Sequence, residues 1–315
     1  MSKVHYLEPE RKTLHGPFDR DLPPVITIDS GDTVRLRTLD SGWGVEKRSK
    51  PSAPRKKFPE FDTARDTGHA LIGPIEIRGA EPGMSLEIKI NEIVPGSWGW
   101  ASAGGYESYW NERMGVAEGP ERVLDFELDA DRMTGRSQFG DFPHTIPLKP
   151  FMGVMGMPPD AQGKHPTFPP RYCGGNLDCK ELVAGSSLYL PIPVKGAKFS
   201  VGDGHATQGD GEVAGPALEC PMERVDLTLT VRDALRLNMP RAKTPVGWIT
   251  MGLDEDLDEA VLIALDGMLE LMCELYQIPR KEAHALASLV VDIRVTQIVN
   301  TVKGIHAVLP HGAIK

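Results

Sequence analysis

Through the first 250 residues, apolar side chains recur at every second position in runs too short for helices, and glycine and proline stand between the runs. Leu86, Ile88 and Ile90 alternate with Glu87, Lys89 and Asn91, and Val225, Leu227, Leu229 and Val231 do the same within Arg224 to Arg232. A period of two gives one buried and one wet face, so each run predicts a half-buried strand. The 33 glycines and 27 prolines supply turns between them. A chain of this kind must close many short strands on one another, which predicts a mainly β fold with a β-sandwich or barrel-like body over residues 1–250. Val25 to Ile28, Ser30-Gly31-Asp32 and Thr33 to Leu39 read as strand, tight turn and strand. Leu188 to Val194 carries Pro191 and Pro193, which suits a sheet edge better than its centre.

After Gly252 the period changes. Val261, Ala264, Leu265, Met268, Met272 and Leu275 recur at three and four residues, and the acidic segment Asp254 to Glu259 complements the positive end of a helix dipole. Pro279 opens a shorter helix with Ala283, Leu286, Ala287 and Val290 on one face, and Asp292 to Val299 returns as a strand. Residues 251–315 are therefore expected to form a C-terminal α/β layer, a helical pair and a returning strand packed on the β body.

A formal net charge of -9, with the 35 Lys and Arg scattered, argues against nucleic acid as a partner. The one basic stretch, Arg48 to Lys57, is broken by Pro51 and Pro54 and reads as a solvated loop. Met1 to Asp21 has no signal-peptide apolar core, and no run reaches membrane-spanning length, so a cytoplasmic protein is expected. Cys173, Cys179, Cys220 and Cys273 lack zinc-ribbon spacing and are too few for a disulfide scaffold.

The segment Val201 to Val213 interleaves four glycines with Asp203, His205, Gln208, Asp210 and Glu212. Glycine admits close approach to the backbone, while Asp, His and Glu are metal ligands and proton carriers. On an extended chain Asp203 and His205 point the same way. A solvated turn would use the same residue types. The apolar flanks Leu190, Ile192, Phe199 and Leu218 favour an interior passage, where carboxylates need partners. Pro169 to Asp178 is a second cluster, with Asn176 and Asp178 on one side of an extended chain. Asp40 ends a strand ahead of a loop and reads as a site or a turn carboxylate, and Asp32 as the closure of a hairpin. His69, ahead of Gly73-Pro74-Ile75, reads as a structural histidine or a ligand.

In order and spacing these segments resemble the acetamidase/formamidase family. The resemblance rests on Ser30-Gly31-Asp32-Thr33-Val34, Thr38-Leu39-Asp40, Gly73-Pro74-Ile75, Gly79-Ala80-Glu81-Pro82-Gly83, Pro150-Phe151-Met152-Gly153-Val154, Gly174-Gly175-Asn176-Leu177-Asp178 and the glycine-rich segment itself, and spans Val25 to Val299. It implies hydrolysis of a small amide to carboxylate and ammonia, or opening of a lactam, by a divalent metal in a largely β fold. It also implies a homo-oligomer, a dimer being favoured. Arg37 stands where relatives usually carry an acid, His69 where some carry asparagine, and Gly204 where a larger residue is common, so Arg37 is expected to alter charge near the site and Gly204 to widen the pocket.

An amide needs its carbonyl polarised, water activated and its nitrogen protonated. From these clustered ligand types Asp40, His69, Asp178 and His205 are expected to hold the metal, zinc before calcium because of the histidine. Glu212 or Asp210 moves the proton, and Asn176 and the backbone at Gly209 and Gly211 bind substrate. The rival readings are a thiol-dependent amidase using Cys179 and a non-catalytic, metal-stabilised module that binds a small ligand.

Overall fold

The computed structural model describes residues 2–49, 53–139 and 142–315; positions 50–52 of the basic stretch lie outside them. The elements follow as β1 (Val4–Leu7), β2 (Leu14–His15), β3 (Ile26–Ile28), β4 (Asp32–Leu36), β5 (Leu71–Ile77), β6 (Ser85–Pro95), β7 (Trp98–Ala103), α1 (Tyr109–Met114), β8 (Arg122–Asp129), β9 (Thr134–Phe139), β10 (Phe142–Pro147), β11 (Phe151–Gly156) and β12 (Gly174–Asn176). Then come β13 (Ser187–Pro191), β14 (Phe199–His205), β15 (Met222–Arg232), β16 (Arg241–Lys243), β17 (Gly247–Asp254), α2 (Leu257–Tyr276), α3 (Arg280–Val290), β18 (Asp292–Gln297) and β19 (Lys303–Pro310).

The strands form three sheets: nine strands in the order β1-β4-β15-β6-β13-β16-β17-β19-β18, six comprising β12-β11-β14-β5-β2 with β3 on β5, and four as β10-β9-β8-β7. The alternation in β6 and β15 does what its period requires. Ile88, Ile90, Leu227 and Leu229 are buried in one apolar cluster with Ile75 of β5 and Phe199 and Val201 of β14, so the two larger sheets share a core. Burying each such side chain stabilises the fold by about 1.5–3 kcal/mol. The fold is mainly β, as the alternation predicts, and among the described residues no helix is long and apolar enough to cross a membrane.

Two local expectations are corrected. Residues 25–39 do not form a hairpin: β3 pairs in parallel with β5 of the six-stranded sheet, whereas β4 pairs with β1 and β15 of the nine-stranded one. The turn at Gly31, φ 91°, lets the chain change sheets. Asp32 anchors that change by accepting from Lys3 N at 2.8 Å and Asp29 N at 3.2 Å, with His5 Nε2 2.8 Å away. β13 lies mid-sheet between β6 and β16, not at an edge. Its prolines do no harm because Pro191 is the strand's last residue and Pro193 lies beyond it.

The helical layer follows its signals. Asp256 caps α2 by accepting from Asp258 N at 2.8 Å and Glu259 N at 3.2 Å, and Gln277 ends it in the left-handed region. Ala260, Ala264, Met268 and Met272 pack on Ile305, Ala307 and Leu309 of β19. Gly252 brings α2 onto β17: a Cβ there would stand 1.8 Å from Ala260 O. β17, β19 and β18 extend the nine-stranded sheet, and residue 250 falls inside β17.

Candidate active site

β11 and β14 run antiparallel, Phe151 opposite His205 and Met152 opposite Gly204. All of β14 is buried, so its alternation places Asp203 and His205 together inside the protein. Asp178 follows β12, its N–H donating to Gly153 O at 3.3 Å. Glu219 is bridged to both His205 and Trp100 of β7, and Glu212 returns on the glycine-rich loop. Asp178, Asp203, His205, Glu212 and Glu219 are each 6% exposed or less.

One ligand atom each from Asp178, Asp203 and His205 lie within 4.8 Å of one another, and the same holds for His205, Glu212 and Glu219. His205 Nε2 is 3.3 Å from Asp203 Oδ1 and 3.3 Å from Glu219 Oε1. Asp178, Asp203 and Glu212 hold φ at 49°, 59° and 47°. Non-glycine residues there cost on the order of 1 kcal/mol apiece, and such positions gather at functional sites. Beneath them lies Gly153, where a Cβ would meet Asp203 Oδ2 at 2.5 Å, His205 Cε1 at 2.7 Å and Asp178 Oδ1 at 2.9 Å. The three side chains thus converge on the space that Gly153 leaves open.

Four buried carboxylates around one imidazole strain the electrostatics. Burial, with Asp203 and Glu219 adding to it and His205 opposing, pushes Asp178 up to about 8. Burial, with Asp178 adding to it, raises Glu212 well above the carboxylate range, and burial raises Glu219 too. Against the pull of burial, Glu219 and Asp203 raise His205, while His69 and His205 lower Asp203. Several polar atoms stay unsatisfied: Asp178 Oδ1, Asp203 Oδ1, Glu219 Oε2 and His205 Nδ1 are buried without a hydrogen-bond partner. Asp203 Oδ1 is near His205 in distance but out of line for a hydrogen bond. A cavity of about 390 Å³ opens onto this cluster, lined also by Arg55, His69, Trp100, Phe168, Asn176 and Asn300.

The sequence profile of the Acetamidase/Formamidase family matches residues 3–165 and 160–244. This chain belongs to the acetamidase/formamidase family. It is 35% identical to an acetamidase of Mycolicibacterium smegmatis, over 63% of this chain and 61% of that protein. It superposes on the crystal structure of a predicted acetamidase/formamidase from Thermoanaerobacter tengcongensis with a TM-score of 0.83 at 28% identity, covering 98% and 96% of the two chains. An acetamidase from Bacillus halodurans gives 0.81 at 27% identity, over 97% of each chain. The chain spans about three fifths of the length of the curated relatives it matches, between 59% and 61%.

In this acetamidase/formamidase family member the structure gathers Asp178, His205, Glu212 and Asn176 as the sequence suggests, and leaves other expected residues outside. Asp40 is buried, but Oδ1 accepts from Gly44 N and Oδ2 from the Trp100 indole at 2.9 Å, and it joins neither ligand group. His69 joins neither ligand group, yet it stays at the site: it lines the cavity edge-on to Phe168, its Nδ1 is buried without a partner, and its charge acts on Asp203. Asp210 is paired with Lys180 at 3.0 Å and with Arg294 at 2.7 Å at the surface. Gly209 is exposed, outside the residues lining the cavity, and the Gly211 N–H is spent on Val295 O at 2.9 Å, so neither serves as an oxyanion donor. Gly204 does not widen the pocket, because it faces away: a Cβ there would meet Cys220 O and Met222 Cγ, each at 2.7 Å. Arg37 pairs with Glu223 at 2.9 Å at the surface, away from the cavity. Cys179 is fully buried, and burial pushes its thiol up to about 12, which leaves no thiolate for a nucleophile near neutral pH.

Glu219 belongs to the site without having been singled out, and Gly153 was named only within the Pro150 to Val154 landmark, with no role. Glu219 had one available sign, a lone carboxylate between Leu218 and Cys220 in an apolar stretch. Asn300 reaches in from the C-terminal part of the chain, Nδ2 donating to Asp178 Oδ2 at 3.4 Å.

Proposed function

We propose that this chain hydrolyses the C–N bond of a small non-peptide amide, with a lactam as its cyclic counterpart, using a divalent ion held by Asp178, Asp203 and His205. The observation that carries this reading is the set of buried, unpartnered oxygens on Asp178, Asp203 and Glu219 beside His205. Uncompensated buried charge costs several kcal/mol, and a cation on these atoms removes that penalty. One imidazole among carboxylates suits zinc better than calcium. When bound, such an ion would polarise the amide carbonyl and bring the pKa of water toward neutrality.

The remaining work falls to the chain itself. Glu212, held beside Asp178 with its pKa raised, is placed to take a proton from water and return it to the departing nitrogen. Asn176 Oδ1, buried without a partner, accepts from the substrate amide N–H and fixes its orientation. Trp100 and Phe168 give the walls aromatic surface. The family membership and the acetamidase relatives support amide hydrolysis as the reaction. A cytoplasmic homo-oligomer, with a dimer favoured, completes the proposal.

Ammonia release from formamide and acetamide, and ring opening of a γ-lactam, should be measured on purified protein before and after chelation with metal content in parallel. Turnover that follows the metal is expected, and His205→Ala should lose both. Turnover that survives metal removal would overturn the metal assignment, and unfolding on chelation without turnover of any amide would favour the binding module.

A further inference from the structure

The cavity is larger than its simplest substrates need. Formamide and acetamide are a few heavy atoms each, whereas about 390 Å³ falls in the range of roughly 300–1,000 Å³ that houses much larger ligands. Among the lining residues one permanent cation appears, Arg55; the other ionisable side chains there are Tyr106, Glu121, Asp203, Glu212, Glu219 and the two histidines.

The setting of Arg55 is specific. Its guanidinium lies over the Trp100 ring, 3.2 Å from the centroid, and the side chain is 17% exposed. Gly42 makes room for it, since a Cβ there would stand 2.7 Å from Nη1. Asp40 is the one acid paired with it, at 3.7 Å, outside hydrogen-bond reach, and that carboxylate already accepts from Gly44 N and the Trp100 indole. The N–H groups of Arg55 therefore make no hydrogen bond to the described residues. A planar guanidinium stacked on an indole with unused donors is a fork for a carboxylate. Arg55 shares the cavity with the reacting centre: the Trp100 backbone beneath it pairs with Glu219 in both directions, each bond 2.9 Å, and the charge of Glu219 acts on the guanidinium.

We propose that Arg55 recognises a carboxylate on the substrate, so that the amide cleaved is an amidic acid, the monoamide of a short dicarboxylic acid, in preference to a plain alkyl amide. This rests on the amide-hydrolase reading for its chemistry. Water adds to the amide carbon, the C–N bond breaks with its electron pair on nitrogen, and nitrogen takes the proton. The products are a dicarboxylate and ammonia. Meanwhile the distal carboxylate is held by Arg55, whose positive charge also faces Glu121 and Glu219 in the same cavity.

The test compares succinamate with butyramide, which differ by a carboxylate in place of a methyl group, using the metal-loaded full chain. The wild type should favour succinamate in kcat/KM by at least about tenfold, mainly through KM, since charge-assisted hydrogen bonds are worth that much. Arg55→Gln should collapse this ratio toward one, and Arg55→Lys should restore part of it, with circular dichroism and metal content reporting that the variants are folded and loaded. Should Arg55→Gln fail to fold, the wild-type ratio and Arg55→Lys alone decide. Equal or better use of butyramide by the wild type, or a ratio unmoved by substitution, overturns the role of Arg55 and leaves amide hydrolysis standing. Inertness toward succinamate, butyramide and acetamide alike overturns both.

Discussion

At the scale of the residue, Gly153 is as much a part of the site as the groups that would bind an ion. Its missing side chain is the space where Asp178, Asp203 and His205 meet, so Gly153→Ala should lower metal content and cut kcat/KM by about 10–100-fold, as disturbances around metal ligands do. Metal analysis beside steady-state kinetics checks this, and full loading with normal turnover would refute it. Glu212→Gln keeps the shape and removes the proton carrier, so kcat should fall by about 10²–10⁴ while metal content holds. Unchanged kcat would move the role to Glu219. Asp178, His205, Glu212 and Asn176 were legible because polar groups packed between glycines and flanked by apolar residues announce a buried polar passage. Asp40 misled because the same residue types also serve a structural knot: its carboxylate ties the 40–44 loop to Trp100, a contact across sixty residues that local pattern cannot report. Gly153 and Glu219 were hidden for the opposite reason, one being defined by what it lacks and the other standing alone.

At the scale of the element, the glycine-rich loop is tied down by its neighbours. Arg294 of β18 joins Asp210 and, at 2.6 Å, Glu181, which also pairs with Lys149 at 2.9 Å. Gln208 Nε2 donates to Asp178 O at 2.8 Å, and Ile298 N to Gly211 O at 3.1 Å. Asp210, expected as a proton carrier, is thus a bolt that fixes Glu212. The helices were legible from period and capping because those signals are local, whereas the sheet partners of β3 and β13 depend on distant strands. The seat of α2 depends on one missing methyl group. Gly252→Ala should destabilise the protein by about 1–3 kcal/mol through overpacking against Ala260 O, read as a lower denaturant midpoint with unchanged slope. An unshifted midpoint would mean that the helix can ride up at no cost.

At the scale of the whole molecule, the buried cluster sets how stability responds to pH when no metal is bound. Asp178, raised to about 8, is protonated in the fold while its unfolded counterpart is already ionised, so its contribution is lost as pH rises toward 8. His205, Glu212 and Glu219 are raised and act with the same sign. His15 and His306, lowered by burial to about 4, act oppositely, an effect that fades as pH rises past the ordinary histidine value of 6.5, where their unfolded forms are losing their protons. From pH 6.5 to 8 the chelated protein should therefore melt at progressively lower temperature. Added metal displaces those protons, so the rise in Tm that it produces should grow across the same interval. A chelated protein that gains stability toward pH 8 would contradict the cluster as described.

The closure of the glycine-rich loop by β18 also sets a schedule. During synthesis Asp178, Asp203, His205, Glu212 and Glu219 all emerge before the residues that lock them, Arg294, Val295 and Asn300. A nascent chain halted short of β18 would carry the whole proposed ligand set without the bonds that lock the loop around it. The same arrangement offers a dividing line for a split protein: two pieces separated in the turn before α2, each inert, that recover turnover only when the nine-stranded sheet is rebuilt between them.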